Sequence, residues 1–450
     1  MSGLHTELFN TYLRARSLLE GNPRFYLLKD LMREQWMEPE RLDILRLKRL
    51  RALVGQALKY SRYYQSKFNG FIDDPKDITD LSRLSQLPLL KRSDIQDNYD
   101  GIFCPGRPGV YKDMTGGSTG VPVHFCHDGF YKAYSDACEM FYLTWLGLKR
   151  GDRTAILWGA ERDFPDLSFR DKINIKYMER IRYLNAFNVT EAILDRFLTD
   201  LEKFRPEFIY GYASTLHMAA RHILKTGRFT IRPKALKSSA EMLYDYQRRD
   251  IQEAFAAPVY NFYGSREVNN LAAECPSLEG LHIFASGRII EIVDETGRPL
   301  PPGQVGLLAI TDLTNLSFPF IRYITGDMGT LKTGRCSCGR SYPLLENITG
   351  RQYDIVVLNG NNIYGHFFTS LIFKNPDVRQ FQVIQNDVNK VTIKVVIPKR
   401  TLDTEYIHRR INEQAGANVD VNFEFVDDIP VLSSGKFRFI VNDTVKGIKD

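Results

Sequence analysis

The sequence predicts an α/β fold, with a large N-terminal domain over residues 1–350 and a small α+β domain over residues 351–450. Three changes of pattern lead to this reading. Between residues 100 and 330, short apolar runs such as Thr154-Ala-Ile-Leu-Trp158 and Phe208-Ile-Tyr-Gly-Tyr212 alternate with amphipathic stretches such as 191–204. Runs of that length suit strands buried on both faces, and the stretches between them suit the covering helices. In residues 283–331, strand-like segments at 289–293 and 306–311 flank the turn-rich Asp294-Glu-Thr-Gly-Arg-Pro-Leu-Pro-Pro-Gly303. A β-rich subdomain over about 283–349 is therefore expected to close the large domain. After Gly350, residues 379–385 and 390–397 read as strands, 403–414 as an amphipathic helix and 418–426 as another strand.

Residues 7–70 read as largely helical, with breaks at Pro23 and Pro39. Leucines recur at helical spacing over residues 42–68 with basic residues between them, the pattern of a solvated helix face. They lack the aromatic and basic interleaving of an RNA-binding surface, so no nucleic-acid partner is expected. A formal charge of +6 over 450 residues is mild. It suits an enzyme of anionic substrates such as nucleotides. No run of eighteen apolar residues occurs and residues 1–28 lack a signal-peptide core, so no membrane span or secretion is expected and the location reads as cytoplasmic. In a reducing compartment six cysteines point to burial or metal binding before disulfides.

The strongest chemical signal is Thr115-Gly-Gly-Ser-Thr-Gly-Val-Pro122. Three glycines and three hydroxyl residues let a backbone approach a polyphosphate and donate hydrogen bonds to its oxygens. The Gly-Lys-Ser/Thr ending of a Walker loop is absent, and a flexible surface turn is the plain alternative. Four weaker segments accompany it: Tyr260-Asn-Phe-Tyr-Gly-Ser-Arg-Glu267, Tyr323-Ile-Thr-Gly-Asp327, Gly350-Arg351 with Asp354, and Pro430-Val-Leu-Ser-Ser-Gly-Lys436.

In this order and at these separations the segments resemble the core motifs of the acyl-adenylate-forming superfamily, from about Lys59 to the C-terminus. Tyr60-Ser-Arg-Tyr-Tyr-Gln-Ser-Lys-Phe68, Leu87-Pro-Leu-Leu-Lys-Arg-Ser-Asp94 and Tyr210-Gly-Tyr-Ala-Ser214 resemble its phenylacetate-CoA ligase-like branch, which includes members from capsule and polysaccharide clusters. The resemblance implies an adenylate-forming large domain and a mobile C-terminal lid. It also implies ATP-dependent activation of a carboxylic acid as acyl-AMP, with pyrophosphate released and the acyl group passed to CoA or to an amine.

The same resemblance assigns roles. Thr115, Gly116, Gly117, Ser118, Thr119 and Gly120 would hold the β- and γ-phosphates of ATP. Tyr263, with Gly264 beside it, would pack on adenine, and Glu267 would hold Mg²⁺. Ser239, Ala240 and Glu241 would line the adenine pocket, and Asp327 and Arg351 would bind the ribose hydroxyls. Lys436 would bridge carboxylate and α-phosphate. The attack brings two anions together, so a lysine and a metal ion suit the charge that develops. Trp158, Tyr212, Ser214 and Phe262 are candidates for the acid pocket.

Three positions depart from the pattern. Val121 stands where many relatives carry lysine or glutamate. Arg266 replaces a threonine or serine that contacts the AMP phosphate, a contact its own charge can replace. Tyr353 stands at the usual hinge aspartate, which favours an amine or a carrier over free CoA as acceptor.

Cys336-Ser-Cys338, with Cys275 and His282 upstream, makes a candidate Cys₃His set for a structural Zn²⁺, although Cys-x-Cys is tighter than the usual spacing. The alternative is three buried thiols and a surface histidine. Cys104, Cys126 and Cys138 read as small hydrophobes. A reading of a different class, a non-catalytic nucleotide-binding relative acting as a partner or scaffold, is disfavoured by the intact Glu267, Asp327, Arg351 and Lys436.

Overall fold

Prolines set the first helix boundaries. A computed structural model describes residues 2–115, 122–159, 171, 173–186, 189–351, 355–372, 375, 377–398, 401–429 and 439–442. Helix α1 (Ser2–Leu19) is followed by α2 (Arg24–Glu34), whose N-cap is Pro23, and by α3 (Pro39–Tyr60), which begins on Pro39. Proline is suited to these places because its missing N–H is not needed in a first turn. Ser61 ends α3 and caps α4 (Arg62–Lys67) by accepting from the Tyr64 N–H. Short helices α5 (Arg92–Asp97) and α6 (Tyr99–Ile102) lead to the hairpin β1 (Tyr111–Met114) and β2 (His124–His127).

Asp128 accepts from the Tyr131 N–H and so caps α7 (Gly129–Trp145). The chain then alternates: β3 (Thr154–Trp158), β4 (Ile181–Asn185), α8 (Glu191–Phe204), β5 (Phe208–Tyr212), α9 (Ala213–Thr226), β6 (Ala235–Ser239), α10 (Asp245–Phe255) and β7 (Val259–Tyr263). Six further strands follow: β8 (Ala272–Glu274), β9 (Leu281–Ile283), β10 (Arg288–Val293), β11 (Gly306–Asp312), β12 (Tyr323–Leu331) and β13 (Leu344–Arg351). All but the first two strands join one sheet in the order β10-β11-β12-β13-β9-β8-β7-β6-β5-β3-β4. The five strands β7 to β4 at one end of that order pair in parallel.

The α/β reading thus holds. The strands of the β-rich region expected to close the large domain run on in the main sheet, because β8 pairs antiparallel with β7 and extends the ladder without a break. One face of the parallel strands, bearing Ala155, Leu157, Ile209, Leu236 and Val259, packs on α8, α9 and α10. The amphipathic face of α8 supplies Leu194, Phe197, Leu198 and Leu201 to that layer.

Far-apart segments also close on one another near the N-terminal helices. Leu90 bridges to Tyr323 and its carbonyl accepts from the Ile324 N–H, while the Tyr64 hydroxyl donates to the Pro319 carbonyl.

The chain divides into two compact units. The first holds Met1–Gly116, Pro122–Thr325 and Thr330–Asn347, and the second chiefly Gly326–Gly329 and Ile348–Asp450. The second contains β14 (Ile355–Leu358), β15 (Asn361–Tyr364), α11 (Gly365–Ile372), β16 (Gln380–Asp387), β17 (Lys390–Val396), α12 (Thr404–Ala415), β18 (Asp420–Phe425) and β19 (Ile440–Asn442). Its four-stranded sheet runs β18-β17-β16-β19 over a core of Phe368, Phe381, Ile393, Ile407 and Ile411. The strand, strand, helix, strand series read from the sequence is present. The hairpin β14–β15, α11 and β19 are added to it. Among the described residues no helix is long and apolar enough to cross a membrane.

Gly211 in β5 shows how closely the strands approach: a Cβ there would lie 2.5 Å from the Leu157 carbonyl oxygen. Gly211→Ala is expected to destabilise the first unit by about 1–3 kcal/mol, as overpacking does in a filled core, and a denaturant titration of the variant against wild type measures it.

Candidate functional site

Parallel strands leave their carboxyl ends as a crevice, because each strand must turn there into a helix on the sheet face. The sequence-nominated residues gather at those ends. Trp158 closes β3, Tyr212 closes β5 with Ser214 next in the first turn of α9, Ser239 closes β6 ahead of Ala240 and Glu241, and Tyr263 closes β7 ahead of Gly264, Arg266 and Glu267.

The loop after β7 is the most firmly held of these. Gly264 packs closely there, since a Cβ would sit 3.2 Å from the Asn270 nitrogen. The Ser265 N–H donates to the Val268 carbonyl and the Leu271 N–H to the Tyr263 carbonyl. Glu267 is buried, and its Oε1 accepts from the Tyr323 hydroxyl at 2.9 Å. Its backbone carbonyl lies 2.9 Å from His127 Nε2, so that nitrogen carries the proton and donates. Tyr131 stacks flat on the His127 imidazole, with ring centroids 3.8 Å apart, and its hydroxyl accepts from the Asn269 N–H. Arg288, fully buried, donates to the Asn269 carbonyl at 3.2 Å, to Asp312 at 2.5 Å and to Thr314 Oγ1 at 2.8 Å. Arg266 forms an ion pair with Asp113 of β1 at 3.4 Å.

The Gly-rich segment joins β1 to β2. At its base the Val123 N–H donates to Thr115 Oγ1 at 2.9 Å, and the Thr115 N–H donates to the Val123 carbonyl at 3.0 Å. Gly116, Gly117, Ser118, Thr119, Gly120 and Val121 lie outside the described residues, as do Tyr353, Asp354 and Lys436. The Glu241 carboxylate accepts from the Ser214 N–H at 2.8 Å, tying the end of β6 to the start of α9. Ala240, between them, takes the left-handed conformation at φ 66°. Trp158 and Tyr212 pack with ring centroids 4.4 Å apart, and Phe262 lies edge-on to Tyr142 of α7 at 5.1 Å. Asp327 on β12 and Arg351 at the end of β13 belong to the second unit.

A second cluster forms for reasons of strand order. Cys275 follows β8, His282 lies in β9, and Cys336 and Cys338 occupy the connection from β12 to β13. Because β9 stands between β8 and β13, the three segments meet. The four ligand atoms lie within 4.8 Å of one another. Cys275 Sγ is 3.7 Å from Cys336 Sγ, and Cys338 Sγ is 3.3 Å from His282 Nε2. A tetrahedral Zn²⁺ with Zn–S bonds of about 2.3 Å has S–S edges of about 3.8 Å, so the set fits that ion. His282 Nδ1 faces the Tyr342 carbonyl at 3.4 Å, which suits Nδ1 to the proton and leaves Nε2 its lone pair.

Local electrostatics act on the four ligands in different directions, favouring a neutral imidazole and the Cys338 thiolate but holding Cys275 as the thiol. Burial pushes His282 down to about 4, so the imidazole is neutral near pH 7. Burial pushes the Cys275 thiol up to about 12. Cys338 is displaced the other way: burial opposes the thiolate, but hydrogen bonds from the Arg340 N–H and side chain outweigh it. Two of the three tryptophans adjoin this cluster. Trp145 of α7 packs edge-on to His282 at 5.5 Å, and Arg340 lies over Trp145 at 4.5 Å and Trp36 at 5.2 Å. Cys104, Cys126 and Cys138 are buried, as hydrophobes are.

Sequence reasoning missed His127, Tyr131, Arg288 and Asp312. Nothing local marks them: a histidine ending a strand and an arginine opening one carry no motif. Tyr323 was inside a quoted motif, but its contact with Glu267 depends on the distant pairing of β12.

Residues 355–443 match the family model of the CapK C-terminal domain. Protein CapK of Staphylococcus aureus is 28% identical over 382 residues, covering 82% of this chain and 82% of its own length. The phenylacetate-coenzyme A ligase of Thermus thermophilus is 24% identical over 441 residues, 90% of this chain and 97% of that one. A 2-hydroxyisobutyryl-CoA ligase crystallised in the postadenylation state with an acyl-AMP matches in fold, with TM-score 0.74, 19% identity and 92% of each chain covered.

Burial lowers the His127 pKa below its ordinary value, so the folded chain holds it neutral. Between that lowered value and about 6.5 the unfolded chain binds the extra proton, and stability falls as pH falls. His127→Asn keeps a donor but cannot titrate. Its unfolding free energy is expected to vary less steeply than that of wild type from pH 6.5 downward, as read by urea titrations across that range.

Proposed function

We propose that this chain, whose kinship with the phenylacetate-CoA ligases and CapK bears out the resemblance seen in its sequence, is an AMP-forming ligase. It activates a carboxylic acid with ATP as acyl-AMP, releases pyrophosphate, and passes the acyl group to CoA or an amine. The observation that carries this reading is the placement of Glu267, buried at the carboxyl end of β7, with its carboxylate fixed by Tyr323 and its backbone by His127. A carboxylate so held is a preorganised ligand for a hard cation.

The residues divide the work. Thr115 anchors the hairpin whose Gly116, Gly117, Ser118, Thr119 and Gly120 supply donors to the phosphates. Glu267 holds Mg²⁺, which neutralises phosphate charge when bound. Ser239, Ala240, Glu241, Tyr263 and Gly264 form the nucleotide pocket, with Asp327 and Arg351 for the ribose. Arg266, oriented by Asp113, reaches the α-phosphate. Lys436 bridges the acid's carboxylate and that phosphate, and Trp158, Tyr212, Ser214 and Phe262 surround the acid.

The Cys275, His282, Cys336 and Cys338 set holds a structural Zn²⁺, because four protein ligands leave no open position for chemistry. CoA is the acceptor named in several relatives, and Tyr353 at the hinge position favours an amine or carrier. Kinship with CapK supports a place in polysaccharide biosynthesis. A cytoplasmic location suits a reaction that consumes ATP.

Acid-dependent ATP–pyrophosphate exchange tests the reading, and exchange absent with every acid of a broad panel overturns it. Lys436→Ala is expected to lower exchange at least about a hundredfold, the usual loss for one transition-state donor, while retaining ATP binding by calorimetry.

Purified protein made with zinc supplied is expected to carry about one equivalent per chain. Cys336→Ser should release it and lower the melting temperature by several degrees. Metal analysis and thermal melts check both.

A further inference from the structure

Lys237 lies on β6 with its side chain 7% exposed, yet it is a lysine in the middle of a sheet face. Its Nζ is 3.0 Å from Glu139 Oε2 on α7 and sits 4.6 Å from the Tyr210 ring and 4.4 Å from the Phe262 ring. The Glu139 side chain is 38% exposed, so one end of the pair is open and the other closed. Strand alternation puts Lys237 on the same face as Ser239, two residues nearer the carboxyl end, and opposite the face on which Leu236 joins the helix layer. Register sets Lys237 beside Tyr210 on β5, while Ser239 stands beside Tyr212 on β5 and Phe262 on β7.

A desolvated ammonium is a poor source of stability: replacing a buried ion pair by apolar residues of similar volume is often neutral or stabilising. An aromatic wall of Tyr210, Phe262 and Tyr142 would suit an apolar acid without it. The pair is neutral in sum. A ligand carboxylate entering here meets Glu139, and a ligand ammonium meets Lys237. A hydroxyl answers both, accepting from the lysine and donating to the glutamate.

We propose that the Lys237–Glu139 pair reads a hydroxyl group on the acid substrate, so that this chain activates a hydroxylated carboxylic acid. The inference rests on the ligase reading given above. With the carboxylate held at the strand ends, two residues of strand place the hydroxyl about 7 Å inward.

Matched acids test it through ATP–pyrophosphate exchange with the full chain. The probes are 4-hydroxyphenylacetate against phenylacetate and 6-hydroxyhexanoate against hexanoate, with adipate and 6-aminohexanoate as charged controls. Wild type is expected to favour the hydroxylated member of at least one pair by tenfold or more in kcat/KM, since a site built to hydrogen-bond a hydroxyl rejects the analogue lacking it. In Lys237→Met, and in the charge-free double variant Lys237→Met/Glu139→Gln, that ratio should drop at least about tenfold. A purely structural role would lower exchange with both members alike and leave the ratio unmoved, which overturns the inference. Wild-type preference for the plain or charged acids also overturns it while leaving the ligase reading intact. Exchange absent with every acid overturns the ligase reading and this inference together.

Discussion

A guanidinium with no exposed surface must be neutralised where it sits, and much of the first unit is arranged around meeting that demand for Arg288. Asp312 across the β10–β11 pairing supplies the counter-charge. Tyr131 and Tyr134 of α7 lie under the positive group at 5.6 and 5.4 Å, offering ring faces in place of water. Gly287, immediately before it, has no room for a Cβ because the Tyr134 ring stands 2.5 Å from where one would be. Its Nε donates to the carbonyl of Asn269, two residues beyond Glu267, while Nη2 is buried without a hydrogen-bond acceptor. The carboxylate at the strand ends is thus located from behind by a charge that cannot shift without becoming unpaired, a disturbance that typically costs about 3–5 kcal/mol.

The fold was legible where periodicity is strong. The segments Thr154–Trp158, Glu191–Phe204 and Phe208–Tyr212 form the elements expected of them, because buried parallel strands and their covering helices write their patterns locally. The continuity of the sheet was not legible. Whether β8 pairs with β7 or begins a new layer is decided by pairing geometry, and residues 283–349 look the same in either case. The hairpin β14–β15 and the three residues of β19 were missed because short strands carry too few positions to show a period.

The site was half readable. Motif residues at strand ends could be named, since glycine turns and isolated carboxylates mark them. Their supports could not, since His127 and Lys237 gain meaning from neighbours more than ninety residues away and Arg288 from Asn269 and Asp312 on other segments. The Cys₃His set is an intermediate case. Its residue types suggested a metal, the Cys-x-Cys spacing argued against one, and the strand order β13-β9-β8 resolves the objection by bringing the segments together. Helix α7 links these regions: Tyr131 stacks beside the Glu267 loop, Glu139 meets Lys237, and Trp145 packs against His282.

The bridge between Leu90 and Tyr323 bears on how the chain is made. Translation delivers α1 to α6 early, but the strand that completes their packing emerges roughly 230 residues later. At about 5–20 residues per second, that interval lasts on the order of 10 to 50 seconds. Throughout it Tyr64 and Leu90, both buried in the finished protein, lack their partners at Pro319, Tyr323 and Ile324. The nascent N-terminal segment therefore keeps this apolar surface uncovered for the whole interval, and a truncation ending before β12 leaves the same surface uncovered permanently.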